Sequence, residues 1–154
     1  MTDREATRAW LDLLRASNAI KKSVDTAFKA EFGLSLSRFD IMATLARSGA
    51  QGLRAGELSQ QLMVTEGNTT QVTAPLVRDG LVRRRTSPED ARVAIFTLTK
   101  KGERLFEQMA EAHHAWISKT FAAFSGADLT TLRTLLGRLS APSTFVLSEA
   151  KDSA

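Results

Sequence analysis

Between residues 81 and 99 the hydrophobic period of the chain drops from three-to-four residues to two, and this one interruption limits its possible folds more than any other feature. Residues 81–86 and 93–99 are rich in β-branched and aromatic side chains (Val82, Val93, Ile95, Phe96, Thr97), and Ser87-Pro88-Glu89-Asp90 between them is turn chemistry. A single β-hairpin is therefore expected inside an otherwise helical chain. Before it, Trp10, Leu13, Leu14, Ile20, Val24 and Phe28 recur at helical steps on a long first helix ending near Gly33. Ser37 with Asp40 resembles a capping box opening a second helix, which stops by Gly49. Residues 53–63 read as a short third helix, and Thr65 offers an N-cap for a fourth over 66–79, closed by Gly80. After Gly102 helical spacing resumes through Phe121 and again from Leu129 to Leu139, with Ser125 and Asp128 forming a further capping box.

A short helix, a polar helix and an Arg-rich hairpin in that order are the plan of a winged helix-turn-helix. The fold class expected is mainly α with a small β-hairpin wing. The polar helix is unusual, because Asn68, Thr69, Thr70, Gln71 and Thr73 give it small neutral side chains where a surface helix ordinarily carries Glu and Lys. Short polar side chains suit a helix that approaches base edges and phosphates closely. Thr65, Asn68, Thr69, Gln71 and Thr73 are the candidate reading residues.

Charge points to the same segment. The chain of 154 residues has a net charge of +4, and residues 76–104 hold eight basic against four acidic side chains, a surplus as large as that of the whole. Arg78, Arg84, Arg85 and Arg92 are the candidate phosphate and minor-groove contacts, with Asp90 placed to hold Arg92 by a charge-assisted hydrogen bond. Three consecutive arginines in a strand alternate faces, so Arg83, Arg84 and Arg85 cannot all serve one phosphate row.

Other functions are excluded by what the residues lack. With no cysteine there is no thiolate or iron–sulfur chemistry. No Gly-rich phosphate loop, Gly-x-Ser-x-Gly elbow or His-Glu-x-x-His occurs, so an enzyme is not expected. His113 and His114 are adjacent and project about 100° apart on a helix, so they do not share a metal ion; neither metal nor cofactor is expected. No secretory h-region and no apolar run long enough to span a membrane is present, which makes the cytoplasm the expected compartment.

Asp90-Ala91-Arg92 followed by Leu98-Thr99 and Gly102, together with Glu57-Leu58 and Asp79-Gly80-Leu81-Val82, resembles the MarR family of bacterial transcriptional regulators over nearly the whole chain. The resemblance implies one domain over 1–147: a winged helix-turn-helix at 34–102, dimerisation helices at 1–33 and 103–147, and a flexible tail at 148–154. It implies a homodimer on double-stranded, pseudopalindromic operator DNA, usually acting as a repressor released by a small ligand. Leu36-Ser37-Arg38-Phe39-Asp40-Ile41-Met42 and Leu62-Met63-Val64-Thr65-Glu66-Gly67-Asn68 are similar to the branch controlling hydroxycinnamate and related aromatic-acid breakdown, whose effectors include aryl-coenzyme A thioesters. By the same resemblance Trp10, Asn18, Arg38, Asp40 and His113 border the ligand cleft. Pro75 departs from a regular helix, removing the hydrogen bond to Gln71 and predicting a kink. The rival function is a winged-helix protein-interaction module that has lost specific DNA binding.

Overall fold

In a computed structural model, residues 2–62 and 66–139 are described, the side chains of Glu66 and Gly67 excepted. The elements run α1 (Asp3–Phe32), α2 (Leu36–Ser48), β1 (Leu53–Arg54), α3 (Ala55–Leu62), α4 (Glu66–Arg78), β2 (Val82–Thr86), β3 (Ala94–Leu98), α5 (Lys100–Thr120) and α6 (Gly126–Leu139). They form two compact units, one ending at Ile117 and a second beginning at Ser118.

Local chemistry accounts for most boundaries. At α1 the Thr2 N–H donates to the Glu5 carboxylate, and the helix ends on Gly33 in the left-handed region. The cap of α2 is Ser35, whose Oγ accepts from the Arg38 N–H at 3.2 Å; the expected Ser37–Asp40 box is corrected, because the helix has already begun at Leu36. At α6 the expected reciprocal box is present, with Asp128 N–H donating to Ser125 Oγ and Ser125 N–H to Asp128 Oδ2. The carboxylate of Asp128 is thereby held below its usual range by these Ser125 hydrogen bonds.

Two expectations are altered by sheet formation. Leu53 and Arg54 do not start the third helix; they pair antiparallel with β3 through Leu53↔Phe96 and Arg54↔Ile95. The hairpin thus becomes a three-stranded sheet in the order β1-β3-β2. Similarly, α5 begins at Lys100, two residues before Gly102, so this glycine lies inside the first helical turn. The helix α4 runs through Pro75 without interruption from Glu66 to Arg78. Thr65, its expected N-cap, and the tail at 148–154 lie outside the described residues.

The first unit is held by an apolar core in which Phe28, Met42, Leu58, Leu76 and Met109 are fully buried, with Ile41, Leu45, Val82 and Phe96 beside them. Burying each such side chain contributes about 1.5–3 kcal/mol. The core joins the middle of α5 to α2, α3, α4 and the sheet, so the orientation of α4 is set by packing along its inner side. The second unit contains the Phe121–Phe124 edge contact and α6.

Candidate nucleic-acid interface

The inner side of α4 is partly polar. Thr69 and Thr73 are buried beside Leu76, at 0%, 1% and 0% exposure. The hydroxyls of Thr69 and buried Ser59 on α3 are hydrogen-bonded, Ser59 Oγ also donates to the Ala55 carbonyl, and Thr73 Oγ1 donates to the Thr69 carbonyl. Thr69 therefore seats the helix on α3, Thr73 is buried with its hydroxyl bonded to the helix's own backbone, and the expectation that the two read DNA is corrected. A Thr methyl is apolar enough for a core and its hydroxyl finds a partner inside the fold, on α3 for Thr69 and within α4 for Thr73, which is why composition alone mistook them for groove-facing residues. Asn68, Thr70, Gln71, Ala74 and Arg78 remain exposed on α4.

The wing supplies cations on different faces. Arg84 is opposite Phe96, Arg83 opposite Thr97 and Arg85 opposite Ile95. Arg84 shares the Phe96 face, and lines a groove of about 270 Å³ with Thr70, Ala74, Val77 and Arg78. Arg85 occupies the other face, where its Nη2 donates to the Gln51 carbonyl at 3.0 Å. Arg54, Ile95 and Arg85 make one row across the sheet. Arg85 was expected at a phosphate; in this structure its guanidinium tethers the wing to the segment before β1.

At the hairpin tip Arg92 folds back on Asp90. The Arg92 backbone N–H and Nε both donate to Oδ1, at 3.0 and 3.1 Å, and Nη2 to Oδ2 at 3.3 Å. These bonds hold the Asp90 carboxyl below its usual range. Arg92 remains 90% exposed, presented but not buried. Sequence reading overlooked a second tip contact, in which Arg54 Nη2 lies 3.1 Å from Glu89 Oε2; no local pattern links residues so far apart.

The end of α4 is stitched to the start of α5. The Thr99 hydroxyl donates to the Gly80 carbonyl at 2.6 Å and accepts from the Gly102 N–H at 3.0 Å. Thr99 N–H donates to the Leu81 carbonyl at 3.0 Å, and Lys101 Nζ to that of Asp79 at 3.1 Å. Gly80, at φ 74°, takes the left-handed conformation that ends α4. Gly102 packs directly on the Leu81 carbonyl, where a Cβ would overlap the oxygen.

Of the expected ligand residues, Asp40 and His113 are electrostatically coupled. The His113 ring lies 5.9 Å from Phe28 and 5.1 Å from Phe39, and Trp116 meets Phe28 edge-on at 5.0 Å. Desolvation raises the Asp40 carboxyl above its ordinary value, partly opposed by the charges of His113, Lys21 and Arg47; desolvation lowers His113, partly opposed by Asp40. Arg38 sits in the first turn of α2, its amide bound to Ser35. Trp10 and Asn18 are exposed on α1, about 27 and 15 Å along its axis from Phe28, so one protomer does not gather them with His113. The groove beside Asp40, lined by Ser37, Ile41, Leu62 and Val72, has a volume of about 160 Å³. Among the described residues no group of three or more metal-ligating side chains occurs, and no helix is long and apolar enough to cross a membrane.

Residues 34–94 match the family model described as "MarR family". The transcriptional activatory protein BadR of Rhodopseudomonas palustris is 31% identical over 134 residues, covering 85% of this chain and 76% of that protein. The chain belongs to the MarR family. Its members are transcriptional regulators, not enzymes. The regulator PecS of Dickeya dadantii is 32% identical over 128 residues, covering 82% of this chain and 76% of that protein. The MarR-family fold recurs in Sco3205 of Streptomyces coelicolor, solved in complex with DNA, at a TM-score of 0.81 and 21% identity over 93% of this chain and 92% of that one.

Proposed function

We propose that this MarR-family regulator binds a pseudopalindromic operator as a homodimer and represses transcription until an aromatic acid or its coenzyme A thioester releases it. The observation that carries the DNA reading is the joint presentation of exposed α4 side chains and wing arginines: Asn68, Gln71 and Arg78 on the helix, Arg84 across the groove, and Arg92 locked by Asp90 at the tip. In this reading α4 enters the major groove, Arg78 and Arg84 meet phosphates, and Arg92 enters the electronegative minor groove. The winged module spans 34–102 and the flanking helices dimerise. Exposed Trp10, Leu11 and Leu14 on α1 support a second copy as their cover, as do exposed Leu135, Leu136 and Leu139 on α6.

The effector reading rests on the ring cluster around His113 and on Asp40, with Trp10, Asn18 and Arg38 contributed toward the cleft across the dimer. The 160 Å³ groove beside Asp40 is below the roughly 300 Å³ of ordinary ligand sites, so the partner protomer completes the cleft. Ligand there favours a spacing of the two recognition helices that misses successive major grooves about 34 Å apart.

The test is fluorescence anisotropy on the intergenic DNA beside the protein's own gene, at physiological salt, with and without p-coumaroyl-coenzyme A. Binding that exceeds nonspecific binding by about 10³ and is abolished by the thioester is the expected result. Specific binding indifferent to the thioester removes that effector class. Weak, salt-steep binding without sequence preference removes the regulator reading in favour of a protein-interaction module.

A further inference from the structure

The burial of Thr69 and Thr73 has a chemical consequence for what α4 can read. With those residues buried, the outward line of the helix from its second turn is Gln71, Ala74 and Arg78, flanked by Thr70. Residues 66–77 contain no Lys or Arg. Guanine presents two acceptors, N7 and O6, to the major groove, and the usual partner for that pair is a bidentate cationic donor. None is present until Arg78, in the last turn of α4.

What the outward line does offer suits the other base pair. A Gln amide pairs one donor with one acceptor, matching adenine N7 and N6–H₂, and Thr or Ala methyls make apolar contact with the thymine 5-methyl. Thr70 and Ala74 line the groove between α4 and β2, whose remaining wall includes Thr73, Val77 and buried Phe96. Arg78 and Arg84 also line it. A base pair addressed by Thr70, Gln71 and Ala74 is therefore flanked by two cations suited to phosphates.

We infer that α4 specifies adenine and thymine: Gln71 reads an adenine edge, and Thr70 with Ala74 receives the 5-methyl of an adjacent thymine. The inference rests on the DNA-binding reading above and names the bases that reading leaves open.

The experiment uses the full-length protein and a random 40-base-pair duplex library, selected by binding at physiological salt. The winning duplex is then remade with deoxyuridine for deoxythymidine in one half-site, which deletes only the methyl and keeps the base pairing. The expected winner carries A·T pairs at the positions whose preference Gln71→Ala relaxes, by about fivefold or more. Deoxyuridine weakens binding about fourfold for each buried methyl group it removes. Because Gln71 is exposed, the folded state of its variant is checked by an unchanged thermal midpoint. Arg78→Ala lowers affinity for the thymine and uracil duplexes by the same factor. A winner with G·C pairs at the Gln71-dependent positions, or one indifferent to uracil substitution, overturns the inference while leaving a sequence-specific regulator. If no sequence is enriched, both this inference and the reading beneath it fall.

Discussion

Replacing Gly102 by alanine sets two physical effects against each other, and the structure decides which prevails. Inside a helix Gly→Ala ordinarily stabilises by about 0.5–1 kcal/mol, since alanine loses less backbone entropy. At position 102 the new Cβ would overlap the Leu81 carbonyl oxygen and lie 2.9 Å from the carbonyl carbon and 3.3 Å from Cα. That carbonyl cannot step aside cheaply. It accepts from Thr99 N–H, the Leu81 N–H donates to the Leu76 carbonyl at 2.9 Å, and the Leu81 side chain is 4% exposed. Overpacking against a fixed neighbour costs about 1–3 kcal/mol, and displacing α5 to relieve it lengthens the Gly102–Thr99 bond, worth about 1 kcal/mol more. The net expectation is a loss of about 2 kcal/mol, or about 6 °C in thermal midpoint for a chain of this size. Differential scanning calorimetry checks it at fixed protomer concentration, since association shifts the midpoint. A midpoint equal to or above that of the wild type refutes the packing argument.

Four further outcomes follow from the geometry. Arg92→Ala should weaken operator binding while leaving the thermal midpoint close to that of the wild type, because water screens so exposed an ion pair; unchanged operator affinity would remove Arg92 from the wing contact. Since the Asp90 carboxyl is held low by Arg92, the clamp's contribution is present above the ordinary carboxylate value and disappears only as pH falls through the lowered one, observable in the Arg92 Nε–H resonance. For the α3–α4 seat, Thr69→Val should cost about 1 kcal/mol by removing the bond between the two hydroxyls, Ser59 keeping only its bond to the Ala55 carbonyl, and adding Ser59→Ala should cost less than the sum of the two single changes. Additive losses would show that the two hydroxyls are not coupled. His113 should titrate below the ordinary imidazole value, so the stability of its neutral form is present above that value and declines as pH falls toward the depressed one. Asp40→Asn removes the charge that opposes this depression, and NMR titration should place His113 lower still; an upward shift would deny the pair.

The helices and the hairpin were legible because period, caps and turn chemistry agree over long stretches. What was not legible depends on contacts between distant segments. Leu53 and Arg54 have a helix-compatible local sequence, and only the presence of β3 beside them makes a strand. Thr69 and Thr73 are chemically identical to their exposed neighbour Thr70, and only burial in the folded chain divides them. Arg84 and Arg85 are adjacent and alike, yet strand alternation sends one toward α4 and the other toward Gln51. The sequence limits the three arginines to alternating faces; it does not say which face meets the helix. For the effector residues the limit is physical too, because Trp10 and His113 are separated within one protomer by much of the length of α1.

The stitching of α4 to α5 gives α4 a different kind of support at each end. The carbonyls just beyond its C-terminus are gripped by Thr99, Lys101 and the Gly102 contact, whereas the stretch before Pro75 is located by Thr69 bonded to Ser59 of α3. The outward positions 70, 71 and 74 take no part in the clamp. On the reading proposed above they form an exchangeable cassette: new side chains can be installed there without redesigning the mount, while Asn68, Arg78, Arg84 and Arg92 stay in place.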